Sequence, residues 1–103
     1  MKIKGVMVLD EAAEDLEAGR GFYNEREYGI GDYFTDCLLS DIESLKIYAG
    51  IHNKCFGYYR MLSKRFPFGI YYDIENNEAV ITAILDMRMN PDTIRKTIDG
   101  RRS

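Results

Sequence analysis

The chain has 103 residues, a formal net charge of -3, and a composition that is 30% charged and 46% hydrophobic. This length suits one small domain, so we expect a single domain over residues 1–103. The acidic total argues against a general nucleic-acid binder, whose phosphate contacts need a basic surface. No run of about 18 apolar residues occurs, so we expect no membrane-spanning helix. The apolar stretch within the first ten residues is interrupted too early to be the hydrophobic region of a signal peptide. We therefore expect a cytoplasmic protein without a membrane partner.

The charges are divided unevenly along the chain. Residues 10–48 hold eleven acidic and three basic side chains, whereas residues 49–72 hold four cations and no carboxylate. The half that we predict to be helical is therefore acidic, and the first strands after it are basic.

The two cysteines, Cys37 and Cys55, match neither the spacing of a metal site nor that of a disulfide framework. In a cytoplasmic protein they are expected to be reduced, buried thiols. We predict no metal site and no cofactor.

The first predicted elements are a strand and a helix. Residues 2–9 alternate imperfectly between β-formers and other residues and end at Asp10, which we expect to cap a helix over residues 11–28. Apolar positions recur there at helical spacing, but Gly19 and Gly21 each cost about 1 kcal/mol relative to Ala in a helix interior. This helix is therefore expected to be weak or bent near its glycines.

A second helix is predicted over residues 32–48, with Asp32 as its cap. Its apolar side chains recur at i, i+4, i+8 and i+11, and they are Phe34, Leu38, Ile42 and Leu45. The short connection makes the two helices an antiparallel hairpin, whose apolar face must be buried against the strands that follow. The predicted fold class is thus α+β.

The second half of the chain reads as strands. Residues 66–74 and 79–87 are rich in aromatic and β-branched side chains and flank a turn with two central asparagines, which predicts a β-hairpin. A further strand is predicted over residues 55–62. Pro91 or Asp92 should begin a short C-terminal helix that ends near Ile98, and residues 99–103 should be frayed.

The complete prediction is an N-terminal strand, a two-helix hairpin, a mainly antiparallel sheet and a short C-terminal helix. The sheet combines the N-terminal strand with three strands that follow residue 54. The residues expected in the core are Leu16, Phe34, Leu38, Ile42, Leu45, Ile70, Ile81 and Ile84.

Four cations of the strand region are the candidate binding residues: Arg60, Lys64, Arg65 and Arg88. Grouped on one sheet edge, they would hold a phosphodiester. The planar fork of arginine would also stabilise the charge that develops when a ribose 2′-hydroxyl attacks the adjacent phosphate. The other reading makes Lys64 and Arg65 ordinary solvated turn residues, which leaves Arg60 and Arg88 as the candidate catalytic pair.

Other residues with reactive or stacking side chains are not predicted to belong to the site. His52 lies in a Gly/Asn-flanked loop, where placement on the surface is favoured over a titrating catalytic role. The tyrosine pairs 58–59 and 71–72 carry rings that could stack on bases, but adjacent residues on a strand point to opposite faces. All four rings therefore cannot stack on bases.

The strand region also carries a family resemblance. The Tyr-Arg strand at residues 59–60, the segment FPFGIYY and the segment AILDMR ahead of Pro91 resemble the toxins of the RelE/ParE superfamily, which includes plasmid stabilisation proteins. Such toxins inhibit growth and form one half of bacterial type II toxin–antitoxin pairs. The resemblance covers about residues 3–91. It implies a cognate antitoxin protein with a segment, disordered when free, that folds over the helix hairpin and the sheet.

Within the superfamily the resemblance leaves the activity open. ParE-type members are associated with inhibition of DNA gyrase and have no recognised catalytic set. That branch suits this chain, because Asp86 stands where many relatives have a histidine and Met89 where a second arginine is usual. We expect Asp86 to form a structural ion pair with Arg88 or Arg60 rather than to act as a general base.

Two alternatives stand beside the ParE-like function. The first is a RelE-like endoribonuclease that cuts messenger RNA at the ribosome, with Arg60 and Arg88 on the scissile phosphate; whether the chain is an enzyme is therefore left open. The second is a non-toxic protein-interaction module that keeps the fold without the activity.

Overall fold

The structure is a computed structural model that describes residues 3–102. In chain order its elements are β1 (Gly5–Val8), α1 (Asp10–Arg26), α2 (Ile30–Glu43), α3 (Leu45–Tyr48), β2 (Lys54–Cys55), β3 (Tyr58–Leu62), β4 (Phe68–Glu75), β5 (Glu78–Asp86) and α4 (Pro91–Arg101). This order confirms the predicted α+β class. The predicted strand position Lys2 and the predicted frayed residue Ser103 lie outside the described residues. None of the described helices is long and apolar enough to cross a membrane.

The strands form one sheet in the order β1-β5-β4-β3-β2. Each neighbouring pair is antiparallel except β1 and β5, which run parallel with Gly5 opposite Glu78 and Val8 opposite Ile81. The first strand of the chain therefore pairs with the last one, and the helices connect it to the far side of the sheet. The sheet is mainly antiparallel, as predicted.

The predicted hairpin of β4 and β5 is confirmed. Its two turn residues, Asn76 and Asn77, have φ of 53° and 63°, the left-handed conformation that a two-residue type I′ turn requires at both positions. Further along, Tyr71 pairs with Ala83 whereas Tyr72 pairs with Ile81. Thr82 is thus an extra residue in β5, and this β-bulge bends the strand.

The strand predicted over residues 55–62 is instead two strands, β2 and β3, so four strands rather than three follow the helices. Phe56 and Gly57 form the turn between them, with φ of 56° and 89°. A left-handed conformation is uncommon for phenylalanine. Here the Phe56 carbonyl accepts a hydrogen bond from Arg102, and the Phe56 ring packs against the cluster beneath α4. Contacts with a helix from the end of the chain therefore hold the turn.

Glycines in the two long helices allow close packing. A Cβ on Gly19 would lie 2.7 Å from the Phe34 ring, and one on Gly31 would lie 2.1 Å from the Arg20 carbonyl oxygen. Helix α1 nevertheless runs through Gly19 and Gly21 without a break, so the predicted weak point does not interrupt it. The lack of a side chain at Gly19 and Gly31 is what brings α1 and α2 together.

The ends of the first two helices differ from the prediction. Asp10 is the first residue of α1 rather than its cap, because Leu9 donates its amide to the Ile81 carbonyl at 3.0 Å and stands at the cap position. Helix α2 begins before Asp32, since Gly29 adopts φ of 89° and admits Ile30 as the first helical residue. The predicted second helix is also divided at Ser44, which separates α2 from α3.

Two apolar clusters cover the two faces of the sheet. The cluster beneath the α1–α2 hairpin is formed by buried residues Ala12, Phe34, Leu38, Ile42, Leu45, Met61, Phe68, Ile70, Tyr72, Ala79, Ile81 and Ile84. The cluster beneath α4 is formed by Tyr71, Ala83, Leu85, Ile94 and Ile98. Of the residues predicted to be in the core, Leu16 alone is only partly buried and the others are buried.

Helix α4 runs to Arg101 and is longer than predicted. The Arg101 Nη1 and Nη2 atoms lie 2.5 Å and 2.8 Å from the two Asp15 carboxylate oxygens, and both side chains are only 14% exposed. Asp15 also accepts the Ile84 amide at 3.0 Å. Since β1 pairs with β5 only as far as Ile81, this carboxylate satisfies a strand edge that β1 leaves open. The ion pair therefore ties together α1, β5 and α4.

Candidate functional site

The structure places the four predicted cations at different positions around the sheet. Arg60 lies opposite Tyr71 in the β3–β4 ladder, and Tyr71 belongs to the cluster beneath α4. Arg88 follows β5 and extends toward the helix hairpin, where its Nη2 lies 3.3 Å from the Tyr23 hydroxyl of α1. The two candidate catalytic arginines therefore face opposite sides of the sheet.

Arg88 is paired with Asp86. Its Nη2 and Nε atoms lie 2.7 Å and 3.0 Å from the carboxylate oxygens, and its backbone amide donates to the same group at 2.8 Å. These hydrogen bonds lower the pKa of Asp86, and the carboxylate in turn raises the pKa of Arg88. The predicted structural ion pair is confirmed with Arg88 as the partner.

Lys64 and Arg65 lie over α2. Together with Asp36, Cys37, Ser40 and Asp41 they line a depression of about 280 Å³. The buried Asp41 carboxylate accepts the Ser63 hydroxyl at 2.7 Å and the Lys64 amide at 3.3 Å, which fixes the start of the β3–β4 connection. These two cations therefore have carboxylates as neighbours, unlike Arg60.

Arg60 lines an open cleft of about 440 Å³ on the α4 side of the sheet. The other residues of this cleft are Ile51, His52, Asn53, Lys54, Cys55 and Leu62. The Arg60 Nη1 atom lies 3.7 Å from the Cys55 sulfur, and the guanidinium also lies beside the Tyr71 hydroxyl. Within residues 3–102 no carboxylate forms an ion pair with Arg60. The Lys54 ammonium lies on the other face of the sheet, 4.9 Å from the centroid of the Tyr59 ring. A half-buried guanidinium without a counter-ion favours an anionic ligand, since its charge is partly desolvated and uncompensated. We name this site the cationic cleft.

His52 is a residue of this cleft that sequence reasoning set aside. It is half-buried rather than on the surface, and its Nδ1 lies 2.5 Å from the Tyr72 hydroxyl. That hydroxyl also accepts the Gly50 amide at 2.9 Å, so it links the His52 ring to the backbone of the same loop. Burial lowers the pKa of His52 and favours the neutral form of the ring. Because the contact joins a loop to a strand 20 residues later, no local sequence pattern predicts it.

The tyrosine pairs are divided between the faces, as predicted. Tyr71 and Tyr72 are both fully buried, one in each cluster. Tyr59 stacks on Tyr72 with a centroid distance of 5.2 Å and an interplanar angle of 22°. Tyr71 and Tyr72 are thus core residues rather than platforms for bases.

A second depression lies on the hairpin side of the same sheet edge. It has a volume of about 270 Å³ and is lined by Asp41, Ser44, Tyr48, Ile51, His52, Met61, Leu62 and Lys64. Several large apolar side chains of this region are exposed, with Ile47 at 77%, Ile51 at 71% and Leu62 at 57%. We name this site the apolar groove. Ile51, His52 and Leu62 line both it and the cationic cleft, so the two depressions adjoin at the outer edge of β3.

Cys37 and Cys55 are free and half-buried. Within the described part of the chain, no group of three or more His, Cys, Asp or Glu side chains is arranged to hold a metal ion.

The sequence matches no protein-family model and has no significant match among curated proteins. The structure, however, is similar to a solved chain described as "Chromosomal ParDE TA system from P. aeruginosa", with a TM-score of 0.70 and 18% sequence identity. The similarity covers 78% of this chain and 91% of that chain. The fold implied by the RelE/ParE resemblance is confirmed: the chain shares the ParE-like fold of this solved chain.

Proposed function

We propose that the chain is the toxin of a type II toxin–antitoxin pair, of the ParE-like kind, and that a cognate antitoxin neutralises it. It acts as a single domain in the bacterial cytoplasm and inhibits growth by binding a target such as DNA gyrase. The observation that carries this proposal is the fold shared with a chain of the ParDE toxin–antitoxin system over most of both chains.

The positions of the arginines support target binding over RNA cleavage. Cations that stabilise a reacting phosphate must be aimed at the same group. Arg60 and Arg88 face opposite sides of the sheet, and Arg88 is held by Asp86. In a binding mechanism the same arginines, together with Lys64 and Arg65, contact a target over an extended surface. Their side chains then need not point toward the same group.

The cationic cleft supports one second candidate, the RelE-like cleavage of messenger RNA at the ribosome. Its Arg60 would contact phosphate, and neutral His52, in the tautomer that donates its Nδ1 proton to the Tyr72 hydroxyl, would have Nε2 free as a general base. Proton transfer would use Nε2, because Nδ1 is occupied by Tyr72. This candidate assigns catalysis to Arg60 and His52 and leaves Arg88 outside the reacting group.

Expression in a bacterial host tests the proposed function. The chain alone should arrest growth on induction, and co-expression with the product of the adjacent reading frame should restore growth and raise the yield of the chain. The purified chain should then inhibit supercoiling by DNA gyrase. A chain that is soluble, monomeric and harmless at high expression, with no neighbouring gene product co-purifying, would contradict the proposal and favour a non-toxic interaction module.

Messenger RNA mapped from the arrested cells separates the two toxin mechanisms. Target binding predicts no new cuts within translated codons. Reproducible cuts in register with codons that disappear in Arg60→Ala would replace the ParE-like proposal with the RelE-like one.

A further inference from the structure

The first strand of the chain, β1, forms one edge of the sheet and is paired on one side. Its partner is β5, and no other strand among the described residues covers its outer side. The direction of its hydrogen bonds follows from its end, where the Leu9 amide donates to the Ile81 carbonyl at 3.0 Å. Bonding directions alternate along a strand, so Met7 also faces β5, whereas Val6 and Val8 turn their amides and carbonyls outward. Within the described part of the chain no backbone group pairs with these two valines on that side.

A second copy of the same strand matches this edge. The segment from Lys4 to Asp10 reads KGVMVLD, and in an antiparallel pair centred on Met7 it lies opposite its own copy. Val6 of each chain then lies opposite Val8 of the other, so their outward amides and carbonyls bond to one another. A two-fold axis therefore pairs every group that the two valines leave open in the monomer.

The side chains on the open face of β1 also complement their own copies. Val6 and Val8 pack against the cluster beneath the helix hairpin, so the alternate positions point to the other face. There Met7 is 46% exposed and Leu9 is 40% exposed. In the antiparallel pair the two Met7 side chains lie opposite each other at the axis. Each Leu9 lies opposite Gly5 of the copy, which has no side chain to obstruct it.

The charges at the two ends of the segment favour a second copy as the occupant of this edge. Lys4 and Asp10 are both exposed, and neither belongs to an ion pair within residues 3–102. The antiparallel register brings Lys4 of each chain to Asp10 of the other, and opposite charges across a strand pair are stabilising. A strand with one cation and one carboxylate at its ends is matched by the same two charges in reverse order.

We propose that the chain self-associates through the outer edge of β1 and forms a symmetric dimer in which the two sheets join into one. The contact consists of the paired edges, the two Met7 side chains at the axis and two ion pairs between Lys4 and Asp10. An edge of four residues buries less surface than a standard interface, so we expect a Kd of about 1 to 100 µM. The dimer is independent of the proposed toxin activity. It leaves the cationic cleft and the apolar groove free, because both lie near β3, toward the opposite edge of the sheet.

Sedimentation equilibrium of the full chain over a range of concentrations measures the dimer. Met7→Lys places two ammonium groups opposite each other at the axis and should weaken association by at least about tenfold. The side chain of Met7 is half exposed, so the circular dichroism spectrum should stay unchanged. Lys96→Glu, on the exposed side of α4, is the control for added negative charge and should leave the Kd unchanged.

A charge exchange between chains tests the register. Lys4→Glu alone places carboxylates opposite each other, and Asp10→Lys alone places ammonium groups opposite each other, so each variant should associate about tenfold more weakly. In an equal mixture of the two variants both ion pairs form again with their charges compatible. The mixture should therefore associate to within about threefold of the wild-type Kd.

Amide hydrogen exchange locates the contact. The Val6 and Val8 amides should become protected as the protein concentration rises, and an NOE should join the Met7 methyl groups of labelled and unlabelled chains. A chain that stays monomeric up to about 500 µM overturns the dimer, as does a mixture of the two charge variants that fails to associate. Concentration-dependent protection at Leu62 in place of the two valines would assign self-association to the other edge and reject this one.

A different occupant of the β1 edge gives a distinct result. Protection of Val6 and Val8 that appears only on addition of the neighbouring gene product would assign the edge to that protein and overturn the dimer. Growth arrest by the chain alone is measured separately, so the dimer can fail while the proposed function stands.

Discussion

At the scale of single residues, Arg60 and Arg88 differ in their electrostatic surroundings although both are arginines of the strand region. Arg88 follows a strand whose last residue, Asp86, supplies a carboxylate to three of its donors. Arg60 lies within a strand and faces the α4 side, where it lies beside the Cys55 sulfur and the Tyr71 hydroxyl and has no carboxylate partner among residues 3–102. The Arg88 guanidinium already has a carboxylate partner, whereas the Arg60 guanidinium is available to bind an anion. Sequence position alone did not separate them.

The two arginines should therefore respond differently from catalytic residues. Loss of a preorganised catalytic cation typically costs about 100- to 1,000-fold in rate. In target binding, recognition is spread over an interface, so Arg60→Ala should cost about 1 to 2 kcal/mol and reduce toxicity only in part. Arg88→Ala should also give a partial loss, with the fold and antitoxin binding intact. Growth curves at graded induction, with Arg95→Ala as a control, measure the effect, and complete loss of toxicity in either variant would favour catalysis.

The Asp86–Arg88 pair also predicts a dependence on acid. Because the pKa of Asp86 is lower in the folded chain than its usual value near 4, its contribution to stability is present above about pH 4 and is lost as the pH falls through the lowered value. Asp86→Asn should therefore destabilise the chain at neutral pH and have no effect in strong acid. Urea unfolding at both pH values checks this. In Arg88→Ala the pKa of Asp86, followed by NMR, should rise, and an unchanged value would contradict the assigned cause.

At the scale of elements, Asp15 joins parts of the chain that share no local sequence pattern. Its carboxylate lies on α1, accepts the Ile84 amide at the edge of β5 and holds Arg101 of α4. The Arg101 Nη1 also donates to the Thr82 carbonyl, at the β-bulge, at 3.1 Å. This contact explains why α4 continues to Arg101 instead of fraying after Ile98.

Removal of either partner should loosen α4. Asp15→Ala leaves the Ile84 amide and the Arg101 guanidinium without their acceptor, so we expect a loss of about 2 to 3 kcal/mol in the free energy of unfolding. Arg101→Ala strands the carboxylate and should cost a similar amount. The double variant should lose less than the sum, since the two residues share one interaction. Urea unfolding and hydrogen exchange of α4 measure these effects. Arg95→Ala breaks an exposed pair and should stay within about 0.5 kcal/mol, and additive losses in the double variant would contradict direct coupling.

The elements that could be predicted are those set by local chemistry. Apolar spacing identified the buried stripe of the second helix, and the asparagines of residues 76–77 identified the β4–β5 turn. The β2–β3 turn was missed because Phe56 adopts its left-handed conformation through contacts with α4. His52 was missed for a similar reason, since Tyr72 fixes its ring from across the chain. Contacts between distant residues thus account for the errors in both the fold and the candidate site.

At the scale of the whole molecule, the structure places an acidic helix hairpin on one side and a partly unpaired, basic strand edge at the end of the sheet. Exposed apolar side chains are concentrated near that edge, at Ile47, Ile51 and Leu62. A surface of this kind favours aggregation of the free protein and favours binding when a partner is present.

Under the proposed function, the partner should therefore stabilise the chain as well as neutralise it. A protein that binds only the folded state at about a hundredfold excess over its Kd adds about 2.7 kcal/mol to the free energy of unfolding. The complex with the neighbouring gene product should accordingly show a higher Tm than the free chain, by calorimetry. Leu62→Glu should reduce this increase if the β3 edge is part of the interface. An unchanged Tm in the presence of a saturating partner would show that the partner does not bind the folded chain.

The parallel pairing of β1 with β5 determines when the fold of this chain can be completed during its synthesis. Gly5 leaves the ribosome early, but its partner Glu78 and the rest of β5 are among the last strand residues to be made. Pairings between residues so distant in sequence form slowly and late in folding. The nascent chain should therefore remain incomplete until translation is nearly finished. Under the proposed function, a newly made molecule would acquire its finished binding surface only near release, and a neutralising protein translated nearby could bind it at that point.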